Sequence, residues 1–120
     1  MNQATDILKS QARALGFDVA RIASVDGEWD AAERLSEFVA AGRHGEMAWM
    51  ADTLERRRHP REMWANARSA IVLGLNYGPD ENPLHALARQ REGVISAYAR
   101  NADYHDLIKK RLKQLAREFA

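Results

Sequence analysis

The 120 residues contain no cysteine. Disulfides are therefore excluded, and so are zinc sites and iron–sulfur clusters held by thiolates of this chain. Long hydrophobic runs are also missing: no stretch approaches the roughly 18 apolar residues that a membrane-spanning helix needs. No charged segment followed by an apolar one opens the chain, so no secretory signal is expected. There is no P-loop, no GxGxxG, no HExxH and no GxSxG, and no carboxylate pair is clearly placed for acid–base work. No motif within the chain completes an active site. The absence of thiols is compatible with a reducing, cytoplasmic setting, and the missing apolar run leaves no membrane partner expected.

What is present describes one globular α/β domain, with 46% hydrophobic and 29% charged residues. The net charge of +1 hides an asymmetry. Residues 1–55 carry five basic and ten acidic groups, whereas residues 56–120 carry thirteen and seven. The basic part is suited to phosphate, although a solvated surface with uneven charge has the same composition.

Residues 2–15 read as a helix stopped by Gly16, with Ala4, Ile7, Leu8, Ala12 and Leu15 near helical spacing. Phe17 to Val25 favours a strand, and Asp26-Gly27 a turn. A second helix is expected over 29–41, stopped by Gly42. Residues 43–50 read as a tight turn leading into a helical turn, with His44 as a surface or capping histidine rather than a ligand. Arg56-Arg57-Arg58-His59-Pro60 is the densest basic cluster, and Pro60 opens a short helix over 61–66. Three arginines in a row read either as a solvated helix end or as planar forks for a phosphate or carboxylate. Ser69 to Tyr77 is almost unbroken in apolar residues, which predicts a central strand buried on both faces of a parallel or mixed sheet. Gly74 within it implies a close neighbour, a packed backbone or a ligand. Residues 78–92 form a polar connection with room for one short helix.

The stretch Gly93 to Arg111 organises the rest. A third β-rich run, Val94 to Tyr98, is broken by Arg100-Asn101-Ala102, and Asp103 then N-caps an amphipathic helix. Tyr104, His105 and Asp106 fall in that helix's first turn, a common setting for anion and cofactor sites in α/β proteins. Tyr104 reads equally as core packing, and Asp106 as a charge partner for Lys110.

Taken together, LGFDVARIA (15–23), GRHGEMAWM (42–50), RRHPREMWANARSAIVLGLNYGP (57–79) and GVISAYARNADYHDLIKKRLKQLA (93–116) resemble the N-terminal part of the epoxyqueuosine reductase family. The resemblance implies a cobalamin-dependent iron–sulfur oxidoreductase that reduces epoxyqueuosine to queuosine in tRNA, the last step of queuosine formation. It implies cobalamin and two [4Fe–4S] clusters as cofactors, tRNA as partner, a monomer and a cytoplasmic location. Residues 1–120 then form an incomplete N-terminal portion of the cobalamin-binding domain, a mixed sheet with flanking helices. The cluster cysteines and the proton-donating aspartate belong beyond residue 120, so the chain is expected to be a fragment, inactive alone.

Carried over residue by residue, the resemblance places Arg57 and Ser96 at the cobalamin, with Tyr98, Tyr104 and His105 near it. The chain departs from the family pattern at Ala97 and Ala102, where larger residues are usual, and at Asn101, which replaces a glycine. Trp64 and Asn66 depart too, at an expected surface turn. Two other functions stay open on the residues: a related cobalamin-dependent reductase of another small electrophile, and a non-catalytic module binding RNA or an anion.

Overall fold

The computed structural model describes residues 2–27 and 29–120. Six α-helices and two strands follow in the order α1 (Gln3–Ala14), β1 (Val19–Ser24), α2 (Ala31–Ala40), α3 (Ala48–Asp52), α4 (Leu54–Arg58), α5 (Pro60–Met63), β2 (Ser69–Gly74) and α6 (Tyr104–Phe119) among the described residues. Two 3-10 turns, Pro83–Ala88 and Ala97–Ala99, lie between β2 and α6. The chain divides into two compact units, one made of residues up to 21 with residues 73–120, the other of residues 22–72.

The first unit holds the core. Asn2 caps α1 by accepting from the Ala4 N–H at 3.2 Å, which satisfies one of the unpaired donors of the first turn. At its other end Gly16 turns left-handed, with φ +88°. The Gly16 N–H then reaches the Arg13 carbonyl and the Phe17 N–H reaches the Ala12 carbonyl, at 2.9 and 3.0 Å. This Schellman pattern closes the helix and carries Phe17 back over Ala12. Leu8 and Ala12 from α1, Phe17, Ala20 from β1 and Leu115 from α6 form one buried cluster, with Leu15 and Leu73 packed against it. The apolar stripes of the first and last long helices thus meet strand residues, as their spacing predicts. Arg111 of α6 adds a polar tie, donating from Nη1 to the Gly16 carbonyl at 3.0 Å.

The second unit is built from short helices around Val25 and Ala67, its buried apolar residues among those described. Helix α2 ends in a second Schellman pattern. Gly42, at φ +67°, donates to Val39 and Arg43 donates to Phe38. Pro60 occupies the first turn of α5, where its missing N–H costs nothing, and the helix ends at Met63 with Trp64 as its C-cap, short of residue 66. Trp29 Nε1 donates to the Arg58 carbonyl at 3.1 Å, and its ring meets His59 at 5.5 Å.

The sheet departs from the expectation. It has two strands among the described residues, β1 beside β2. The pair is antiparallel rather than mixed, because Asp18 N–H bonds the Gly74 carbonyl while Val25 N–H bonds the Arg68 carbonyl. Strand β2 stops at Gly74 and is not the doubly buried centre of a sheet: Ile71 and Val72 are 46% and 55% exposed. An unbroken apolar run sets a strand's composition, whereas its burial depends on having neighbours on both faces. The close neighbour of Gly74 is a side chain, since a Cβ there would lie 3.4 Å from Val19 Cβ. The third expected strand, over 94–98, is absent among the described residues. Its backbone satisfies itself locally: Ala99 N–H bonds the Ser96 carbonyl at 2.9 Å, and Arg100 Nε bonds the Ile95 carbonyl at 3.0 Å.

Candidate functional site

Helix α6 starts on a short acidic cap. Asp103 accepts from the His105 N–H at 2.9 Å with Oδ1, and the same oxygen lies 2.7 Å from His105 Nδ1. The backbone hydrogen bond from His105, followed by the one from its ring, holds the Asp103 carboxyl below the usual carboxylate range. The cap fixes the imidazole, and Tyr104 stacks on it with centroids 4.3 Å apart. Tyr77 stacks on Tyr104 in turn, nearly parallel at 12° and 5.5 Å. The outcome is a column of three rings, Tyr77–Tyr104–His105.

Tyr77 is held by a polar corner at the end of β2. Asn76 N–H donates to Asp18 Oδ2 at 2.7 Å, and Asn76 Oδ1 accepts from the Gly78 N–H at 2.8 Å. The run Asn76-Tyr77-Gly78-Pro79 marks a polar strand end in the sequence. Its stacking partner, 27 positions later, has no local signal.

Tyr98, Tyr104 and His105 come together. With Ala99, Asn101 and Asp103 they line a pocket of about 350 Å³. Ser96 is next to this group but does not line the pocket. It precedes the 3-10 turn that carries Tyr98, and its side chain makes no capping bond. Asn101 does not use left-handed backbone, because every described residue with positive φ is a glycine.

Arg57 belongs to the other unit, and its surroundings differ from those of its two neighbours. Its Nε donates to Thr53 Oγ1 at 2.7 Å, and its guanidinium lies over the Trp49 ring at 4.4 Å. Among the described residues nothing accepts from its two terminal nitrogens. Arg58 is instead paired with Glu55 at 3.2 Å. Arg56 shares a small hollow with Arg57, Thr53 and Met63. A further pocket in this unit, between Trp29, His59 and Arg61, has both of its arginines already paired, Arg61 with Asp26 and Arg58 with Glu55. Among the described residues no group of three or more His, Cys, Asp or Glu is placed to hold a metal ion. His44, read as a surface or capping histidine, has a buried Nδ1 with no hydrogen-bond partner among the described residues.

These features define an α/β chain with an aromatic and ionisable cluster at a helix start and an oriented arginine fork. The family model described as "Epoxyqueuosine reductase QueG, DUF1730" matches residues 57–120. An epoxyqueuosine reductase of Gloeobacter violaceus is 45% identical over 114 residues, covering 92% of this chain and 33% of the relative. One from Leadbetterella byssophila is 41% identical, covering 90% and 34%, and one from Pseudomonas aeruginosa 39%, covering 91% and 30%. No solved structure matches the chain. The chain belongs to the epoxyqueuosine reductase family. It spans about a third of the length of these curated relatives.

Proposed function

We propose that this chain is the N-terminal part of the cobalamin-binding domain of an enzyme that reduces epoxyqueuosine to queuosine in tRNA. The observation that carries the reading is the 45% identity to an epoxyqueuosine reductase across 92% of the chain. The reaction removes the epoxide oxygen as water and leaves a carbon–carbon double bond, consuming two electrons and two protons. Bound cobalamin supplies a low-valent, strongly nucleophilic metal centre suited to opening a strained three-membered ring.

The side chains present suit such a cofactor. Cobalamin offers amide oxygens and a phosphate around a broad planar ring. Arg57 has a fork held at Nε by Thr53 and steadied over Trp49, leaving its terminal donors to meet such acceptors. Tyr98, Tyr104 and His105 offer flat rings and polar tips around one pocket, and Ser96 adds a short polar group beside them. The same residues do not fit an iron–sulfur cluster, since the chain has no thiolate. In this reading two [4Fe–4S] clusters and the proton-donating aspartate are supplied outside residues 1–120. The working enzyme is a cytoplasmic monomer.

The test is anaerobic turnover by the full-length protein, given cobalamin, a low-potential electron donor and tRNA bearing epoxyqueuosine. Loss of one oxygen from the nucleoside, read by mass spectrometry, is the expected result. Unchanged epoxyqueuosine under those conditions would overturn the reading.

A further inference from the structure

Helix α6 carries a basic row of which the cofactor reading uses only the first member, His105. His105, Lys109, Lys113 and Arg117 recur at every fourth residue and are all exposed. Each step rises about 6 Å and turns about 40° around the axis, so the four side chains form one line that winds about a third of the way around the helix. Beside its first three members runs a groove of about 470 Å³, lined by His105, Asp106, Ile108, Lys109, Leu112 and Lys113. Asp106 is the one acid along it. Among the described residues, Lys109, Lys113 and Arg117 make no ion pair, so their charge is not spent within this chain. The row starts at the ring column Tyr77–Tyr104–His105, whose two outer members are open: Tyr77 is 56% exposed and the His105 side chain 73%.

Cations at regular spacing leading away from an exposed stack of rings match single-stranded nucleic acid. Phosphates meet the cations, and an unpaired base has a flat face for the rings. An acidic protein surface would use the cations but has no use for the stack. We propose that this face of α6 is an RNA track: a single strand lies along Lys109, Lys113 and Arg117, and one of its bases stacks on the ring column at His105. The proposal rests on the reading that the whole protein acts on tRNA. It deepens that reading by naming the surface along which the RNA strand enters.

Binding of a labelled, unmodified RNA stem–loop to the full-length protein tests it, by anisotropy across a series of salt concentrations. The double variant Lys109→Gln/Lys113→Gln should lower the slope of log K against log salt by about 1.4, the loss of two single-strand phosphate contacts. A charge-matched variant on α1, Lys9→Gln/Arg13→Gln, should leave the slope unchanged, and Lys109→Arg/Lys113→Arg should restore it. His105→Ala should weaken the stem–loop about tenfold and leave a blunt duplex unaffected. Equal losses from the α6 and α1 variants would overturn the proposal, as would polyglutamate competing as well as RNA. Epoxide reduction by the wild-type protein separates the two readings. Turnover together with unimpaired RNA binding by Lys109→Gln/Lys113→Gln removes the track alone. RNA held by the row with no turnover supports the track and removes the enzymatic reading.

Discussion

Asp103 performs two tasks with one oxygen, capping α6 and fixing the His105 ring. Its folded carboxyl lies below its unfolded value, so this contribution to stability is complete above the ordinary carboxylate range. It is lost as pH falls through the folded value, below about pH 4. Asp103→Asn keeps a capping acceptor and removes the titration. Helicity followed by circular dichroism should therefore fall less steeply below pH 4 in the variant than in the wild type. Gly16 makes a second residue-scale case. Its φ of +88° disfavours any side chain, and a Cβ would sit 3.0 Å from the Arg111 guanidinium. Gly16→Ala should cost about 1–3 kcal/mol, read as a lower urea midpoint at unchanged slope. Gly93→Ala, where nothing lies within 4 Å and φ is not positive, should be close to neutral. For cobalamin in the full-length protein, Arg57→Ala should weaken binding roughly ten- to a hundredfold. Arg58→Ala should matter least, because Arg58 is already paired with Glu55. Equal effects at all three arginines would reduce the cluster to a diffuse patch.

Helix ends were the most legible elements, because local chemistry determines them. Gly16 and Gly42 close α1 and α2, Pro60 opens α5 and Asp103 opens α6, each at the position the sequence marks. Strands were less legible. Val94 to Tyr98 has strand composition but no ladder partner among the described residues, so local turn bonds take its backbone groups. Strand β2 has the right residues, yet Ile71 and Val72 remain about half exposed. Partnership of this kind is non-local and leaves no mark on composition. The site divides in the same way. The first turn of α6 reads directly from Asp103-Tyr104-His105, whereas Tyr77 joins it only through tertiary stacking. Exchange protection should follow burial: amides of α1 and α6 around Leu8, Ala12 and Leu115 should exchange more slowly than those of Ile71 and Val72. Slowest exchange at Ile71 and Val72 would restore the central-strand reading and count against this packing.

At the scale of the whole molecule, charge and chemistry are unevenly distributed. No cysteine is present, so anaerobic reconstitution of residues 1–120 should incorporate no iron–sulfur cluster. Stoichiometric iron and sulfide in that protein would show that the division of labour proposed above is wrong. The excess of basic over acidic groups belongs to residues 56–120, and the RNA track on α6 draws on it. No helix among the described residues is long and apolar enough to cross a membrane.

The bond from Arg111 to Gly16 joins residues 95 positions apart, and Leu115 meets Leu8 in the same cluster. A nascent chain grows from its N-terminus, so α1 leaves the ribosome long before its partner helix has been made. At roughly 5–20 residues per second, that interval is on the order of 5–20 s. Throughout it the apolar face of α1 has no completed core to enter, while residues 22–72 can already settle among their own short-range contacts. Of the elements described, α1 is therefore made first and is among the last to be buried, and its apolar face stays uncovered for that interval.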